Sequence, residues 1–223
     1  MEREIYPVAI TAYLAIAVVW PTIMTWRRHR VWPVVFHREA NPFQRLIGAL
    51  MVLFILGVIL WGFLLWTSGP ETLGVWPPSP LLQRAGWSLM ALGLLGTIVA
   101  QRQMGSSWRI GIDDRPTTLI THGLFRWCRN PIFSGMLATL LGFVLVAPAA
   151  WTVVGFLLAC CLIAVQVRLE EGTLLQVHGP TYKAYASRVG RFVPVIGRLV
   201  EDGPRARLRW AERHGAPEPQ DRA

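Results

Sequence analysis

The feature that most limits what this chain can become is a series of apolar runs, each cut off by arginine, proline or glycine. The first covers about Ile5–Trp26 and stops on Arg27-Arg28-His29-Arg30. Two more follow, at about Leu46–Trp66 and Leu81–Ala100. Each supplies the ~20 residues that cross a hydrocarbon core. Ile132–Ala147 and Trp151–Val167 are shorter, and only Pro148-Ala149-Ala150 separates them. So tight a connection predicts an antiparallel helical hairpin. Lipid tolerates a backbone only when its polar groups bond internally, so runs of this length are read as helices.

Composition agrees. Of 223 residues, 53% are apolar and 16% charged, and 11 are Trp. Soluble domains carry about 25% charged residues, so this chain lacks the polar surface to cover itself in water. The expected fold is an all-α integral membrane protein with about five transmembrane helices, the last two a short hairpin, followed by cytoplasmic C-terminal helices. Pro21 lies deep in the first run and should kink it. Gly86, Gly93 and Gly96 would let neighbouring helices approach closely.

The net charge is +9. Its distribution excludes nucleic acid as the partner, because the arginines flank apolar runs and fill the tail. Basic residues favour the cytoplasmic side. That rule places 27–45 and 101–130 in the cytoplasm and the N-terminus outside. Lys183 is the only lysine, a bias that fits a GC-rich genome, and a bacterial inner membrane is the expected location. Met1-Glu2-Arg3-Glu4 lacks the basic start of a cleavable signal, so the first helix is expected to stay. Cys128, Cys160 and Cys161 read as packing residues. No Cys or His spacing supports a metal.

Three regions follow: an N-terminal three-helix region at 1–100, a core at 101–196 and a basic tail at 197–223. Within the tail, Arg205–His214 would lie as a basic helix on anionic lipid.

The chemistry concentrates at the open ends of the hairpin. Glu170-Glu171 follow an apolar run directly. Unpaired acids near a helix centre in lipid cost about 2.5–3.5 kcal/mol, so this pair is either interfacial and solvated or a site for a cationic group. Consecutive residues point about 100° apart on a helix, so one can face the interior while the other meets an Arg or water. At the other open end, Pro131 suits a first helical turn and Asn130 its cap. Free N–H groups there, with Arg129, would take an anion. One small face thus offers an anion site and a cation site, which suits a zwitterion.

These residues, with Thr121-His122-Gly123-Leu124-Phe125, Pro131-Ile132-Phe133-Ser134-Gly135, Gly179-Pro180-Thr181-Tyr182-Lys183-Ala184-Tyr185 and Arg188-Val189-Gly190-Arg191-Phe192-Val193-Pro194, resemble the isoprenylcysteine carboxyl methyltransferase and phospholipid methyltransferase family. The resemblance covers about 104–194. It implies a membrane enzyme that binds S-adenosylmethionine at the cytoplasmic face and methylates a lipophilic or lipid acceptor. Arg129, Asn130 and the helix start at Pro131 would hold the cofactor's carboxylate. His122, Gly123, Phe125, Phe133 and Gly135 would shape its cradle. Glu170 and Glu171, aided by Arg168, would bind its amino group or orient the acceptor, and Tyr182 and Tyr185 would close a lid. The family more often has His at Asn130, Tyr at Phe125 and Phe133, and Arg at Gln166. These departures leave the acceptor open among carboxylate, amine and thiol. Alignment of an in-line displacement is worth ~7–11 kcal/mol, and an amine or thiol would also need a base, for which Glu170 or Glu171 is placed. Two other readings use the same residues: an NADPH-dependent membrane steroid or enoyl-type reductase, and a non-catalytic membrane protein that keeps the hairpin for packing.

Overall fold

The computed structural model describes residues 2–30, 42–108 and 118–200. Among these the secondary structure is helical: α1 (Glu2–Leu14), a π-helical turn (Ala15–Val19), α2 (Trp20–His29), α3 (Pro42–Ser68), α4 (Pro80–Met104), α5 (Pro131–Val146) and α6 (Ala150–Arg188). Short 3₁₀ turns lie at Gly105–Ser107 and Gly123–Arg126. Four helical stretches are long and apolar enough to cross a membrane, and α5 is a shorter apolar helix of 16 residues. Leucines such as Leu53, Leu56 and Leu60 on α3 stand exposed on the outside of the bundle. That surface needs lipid, and the chain is an integral membrane protein.

The break expected at Pro21 is a π turn placed just ahead of it. Proline has no N–H to offer the carbonyl four residues back, which is Ala17. The widened turn at Ala15–Val19 absorbs the mismatch, and Gln101 Nε2 donates to the freed Ala17 oxygen at 2.7 Å. A polar side chain on α4 thereby joins α1–α2 to the rest of the bundle.

Between α4 and α5 the backbones nearly touch. Gly86 and Gly93 on one helix meet Gly142 and Gly135 on the other, antiparallel and seven residues apart on each. A Cβ on Gly93 would stand 2.6 Å from the Gly135 carbonyl, and one on Gly142 would stand 2.6 Å from the Gly86 carbonyl. Lipid tails are as apolar as leucine, so close packing rather than water exclusion holds such helices together. The expectation for Gly96 is not met: a Cβ there would meet nothing within 4 Å.

The second leg of the hairpin passes through the polar switch at Arg168 as one helix. Gly179-Pro180 reads as an interruption, and there two helical stretches meet across a kink, with non-helical angles at Gly179 (φ 49°, ψ −124°) inside Ala150–Arg188. Residues 168–176 are mostly good helix formers, so the change of polarity marks a change of surroundings and not of conformation. At the opposite end of the bundle the α5–α6 turn is tied down by Thr152 Oγ1, which accepts from Ala149 N at 2.9 Å. Trp76 N in the α3–α4 loop donates to Pro148 O at 2.8 Å. The proposed tail helix at 205–214 lies outside the described residues.

Candidate functional site

The strand-like segment after α6 returns to the start of α5 and closes the open end of the hairpin. Arg129 N donates to Gly190 O at 2.9 Å, Asn130 N donates to Arg191 O at 3.1 Å, and Cys128 and Gly190 form a bridge. Ser134 Oγ, one turn into α5, donates to Phe192 O at 2.6 Å. Burial pushes the Cys128 thiol pKa up, so it stays protonated and packs 3.3 Å from Ser134 Oγ.

Arg129 is the centre of this closure. Its residue is 5% exposed. Nε donates to Glu171 Oε1 at 3.0 Å and Nη2 lies 2.9 Å from the same oxygen. Nη1 donates to Ala186 O at 3.0 Å and Val189 O at 2.6 Å, and Nη2 also donates to Gly197 O at 3.1 Å. Guanidinium has five N–H donors, and these five contacts to four oxygens occupy them. The anion-binding role expected of Arg129 therefore meets a saturated group. Its position instead pins the segment after Tyr185 to the hairpin.

Glu171, 4% exposed, is the other half of the clamp. Besides Arg129 it accepts from Asn130 Nδ2 at 3.1 Å and, through Oε2, from Arg191 Nε at 3.0 Å. Arg191 Nη2 is 2.9 Å from the same Oε2, and its side chain keeps 26% exposure. Two guanidiniums against one carboxylate leave the rim near Arg191 positive. Asn130 does not cap α5 with its side chain; the amide turns to Glu171 and to Arg191 O at 3.2 Å. The free first-turn N–H groups of α5 are consequently not masked by that side chain.

Glu170 is only half-buried and does not share the Arg129–Arg191 clamp. Gln166, buried one turn earlier, donates to Glu170 Oε1 at 2.8 Å. Arg168 is exposed. The two consecutive acids thus face different surroundings, one sealed among arginines and one held at an accessible edge.

The remaining expected residues divide between lining and packing. Tyr182 is 1% exposed and packs against Tyr185, with ring centroids 6.0 Å apart. The Tyr185 hydroxyl donates to Phe125 O at 2.6 Å, fixing the 3₁₀ turn on α6. Gly123 has φ +61°, and a Cβ there would run into the Gln103 side chain, whose Oε1 accepts from Leu124 N at 2.8 Å. His122 is exposed, Pro131 buried and Phe133 half-buried. Gly135 faces α4 across the glycine contact, so its absent side chain serves helix packing. Arg191 stands in the motif Arg188–Pro194 but had no role from sequence, because its partner Glu171 lies 20 residues away.

Residues 82–181 match the phospholipid methyltransferase family. No curated protein sequence matches the chain. Among solved structures, the fold resembles the eukaryotic intramembrane Ras methyltransferase, isoprenylcysteine carboxyl methyltransferase. The TM-score is 0.52 at 18% identity, over 86% of this chain and 68% of that one.

Proposed function

We propose, for a chain that belongs through residues 82–181 to the phospholipid methyltransferase family and shares the fold of an intramembrane carboxyl methyltransferase, that the closed end of the hairpin binds S-adenosylmethionine and presents it to a lipophilic acceptor at the cytoplasmic face. The observation that carries this reading is the split between the two glutamates. Glu171 is held between Arg129 and Arg191, while Glu170, the preceding residue of α6, is half-buried and accepts from Gln166. A carboxylate at Glu170 and the partly exposed guanidinium that meets the adjacent Glu171 fit the amino and carboxyl groups of an amino acid. Glu170 would take the ammonium, oriented by Gln166 as an arginine would be elsewhere in the family. Arg191 and the first N–H groups of α5 would take the carboxylate, in place of the engaged Arg129.

When bound, S-adenosylmethionine supplies an electrophilic sulfonium methyl. The chain's own contribution is positioning and exclusion of water. Tyr182, Tyr185 and Phe125 form a buried wall behind the clamp, and the segment 189–197 is fastened over it by Arg129. A carboxylate acceptor needs no base. An amine or thiol acceptor loses a proton, and Glu170 is the accessible group to receive it.

The test is equilibrium binding of S-adenosylmethionine, with NADPH as control, to the full chain purified in mild detergent. The expected result is saturable binding of the former alone. One charged hydrogen bond is worth about 1.5–3 kcal/mol, so Glu170→Gln should weaken it roughly ten- to hundredfold without changing the melting temperature. A folded sample that binds NADPH, or neither ligand, refutes the proposal.

A further inference from the structure

A cavity of about 570 Å³ lies between α1, α3, α4, α5 and α6, open on its outer side where Leu53, Trp151 and Val154 of its lining are exposed, and reaching along α5 to Ile132. Its size is that of a small-molecule site. Two features separate it from a packing defect. The first is two glycines on facing helices, Gly57 of α3 and Gly155 of α6. Both line the cavity, and a Cβ at either would meet nothing within 4 Å. Gly62 shows the contrast: it faces away from that space, and a Cβ there would strike Ile10 at 2.7 Å.

The second feature is a pair of buried donors without partners among the described residues, the Tyr13 hydroxyl and Trp61 Nε1, both on cavity-lining side chains. They stand at neighbouring levels, because Gly62 packs on Ile10, one turn before Tyr13. Thr97 and Thr139 are the hydroxyls next to Tyr13. Each donates its proton to a backbone carbonyl, Gly93 O at 2.9 Å and Gly135 O at 3.0 Å. Their oxygens keep lone pairs that could accept, but neither stands in hydrogen-bonding geometry to the Tyr13 hydroxyl, and Trp61 Nε1 meets no acceptor among the described residues either.

Thr139 lies eight residues beyond Pro131, so this polar level is about 12 Å along α5 from the clamp. Water has little place at such depth, and a plain hydrocarbon tail leaves both donors unmet. We propose that the cavity binds a lipid whose apolar chain carries a hydrogen-bond-accepting oxygen part-way along it, a carbonyl, ester or ether, received by Tyr13 and Trp61. This concerns binding within the bundle and stands apart from the methyl-transfer reading.

The experiment compares stearate with its mid-chain keto analogue, titrated into the full chain in detergent and read by native mass spectrometry. The expected result is preference for the keto probe by about two- to tenfold, the range of one uncharged hydrogen bond. Tyr13→Phe deletes one oxygen and should reduce that preference, and Tyr13→Phe with Trp61→Phe should abolish it, while stearate binding persists. Gly57→Leu with Gly155→Leu, which fills open space, should displace both probes. Equal binding of the two probes by the unaltered chain would reveal an adventitious apolar occupant and overturn the inference. So would a keto preference that survives the double aromatic variant, or probe binding untouched by the leucines.

Discussion

Replacing Glu171 by glutamine tests the clamp without changing its shape. Glutamine keeps one carbonyl oxygen but removes the charge facing Arg129 and Arg191, and it turns an N–H₂ group towards one of them. Arg129 is then a buried cation with carbonyl partners and no counter-charge. Removing one partner of a buried ion pair costs about 3–5 kcal/mol. At roughly 2–4 °C per kcal/mol for a chain of this size, the melting temperature should fall by about 6–20 °C. Arg129→Met should cost more. It also strips the donor from the Ala186, Val189 and Gly197 carbonyls, and each acceptor left buried adds about 1–3 kcal/mol. Glu170→Gln, outside the clamp, should move the melt little. The assay is thermal unfolding in detergent with a thiol-reactive dye, in a Cys160→Ala, Cys161→Ala background. Only Cys128 then reports, and it is buried with its pKa raised by that burial. If Glu171→Gln melts together with Glu170→Gln, the reasoning that separates a structural from a ligand-binding glutamate fails.

Two further substitutions probe how the bundle is held. Gly93→Leu should lower the melting temperature markedly, since overpacking costs about 1–3 kcal/mol even where neighbours can shift and here the obstacle is the Gly135 backbone; Gly96→Ala should be neutral in the same melt. Gln101→Leu should destabilise by about 1–3 kcal/mol by leaving the Ala17 carbonyl unpaired, and Pro21→Ala, which restores an N–H within reach of that carbonyl, should recover part of the loss in a double-mutant comparison.

Much of the architecture was legible because lipid imposes it. Ile5–Trp26, Leu46–Trp66 and Leu81–Ala100 were readable as spans from apolar length alone, and each falls within a helical stretch of the structure. Gly86 and Gly93 announced a close approach, but not that Gly142 and Gly135 would answer them. Pairings across the bundle leave no local trace. The same limit governed the site. Asn130 was read as a cap because capping is what asparagine does for its own neighbours, whereas its partner Glu171 is 41 residues away. The turn between Glu170 and Glu171 showed that their surroundings must differ. Which of them would be sealed depended on Arg129 and Arg191, arriving from two other segments. The apolar run Trp151–Val167 ends where polarity begins, but the helix goes on to Gly179, whose conformational freedom interrupts α6.

The unbroken run of α6 from Ala150 to Gly179 has a consequence for where its glutamates stand. Glu170 lies 20 residues beyond Ala150 on one continuous helix, which is about 30 Å along the axis. A hydrocarbon core is also about 30 Å thick. The carboxylates thus emerge where the oily layer ends, at a height set by counting residues and not by a pliable loop. Helix and bilayer act as a ruler laid against its measure. A thinner or thicker membrane moves the surrounding lipid past the glutamates, and so, under the proposed function, would alter how far an acceptor embedded in that lipid must rise to meet them.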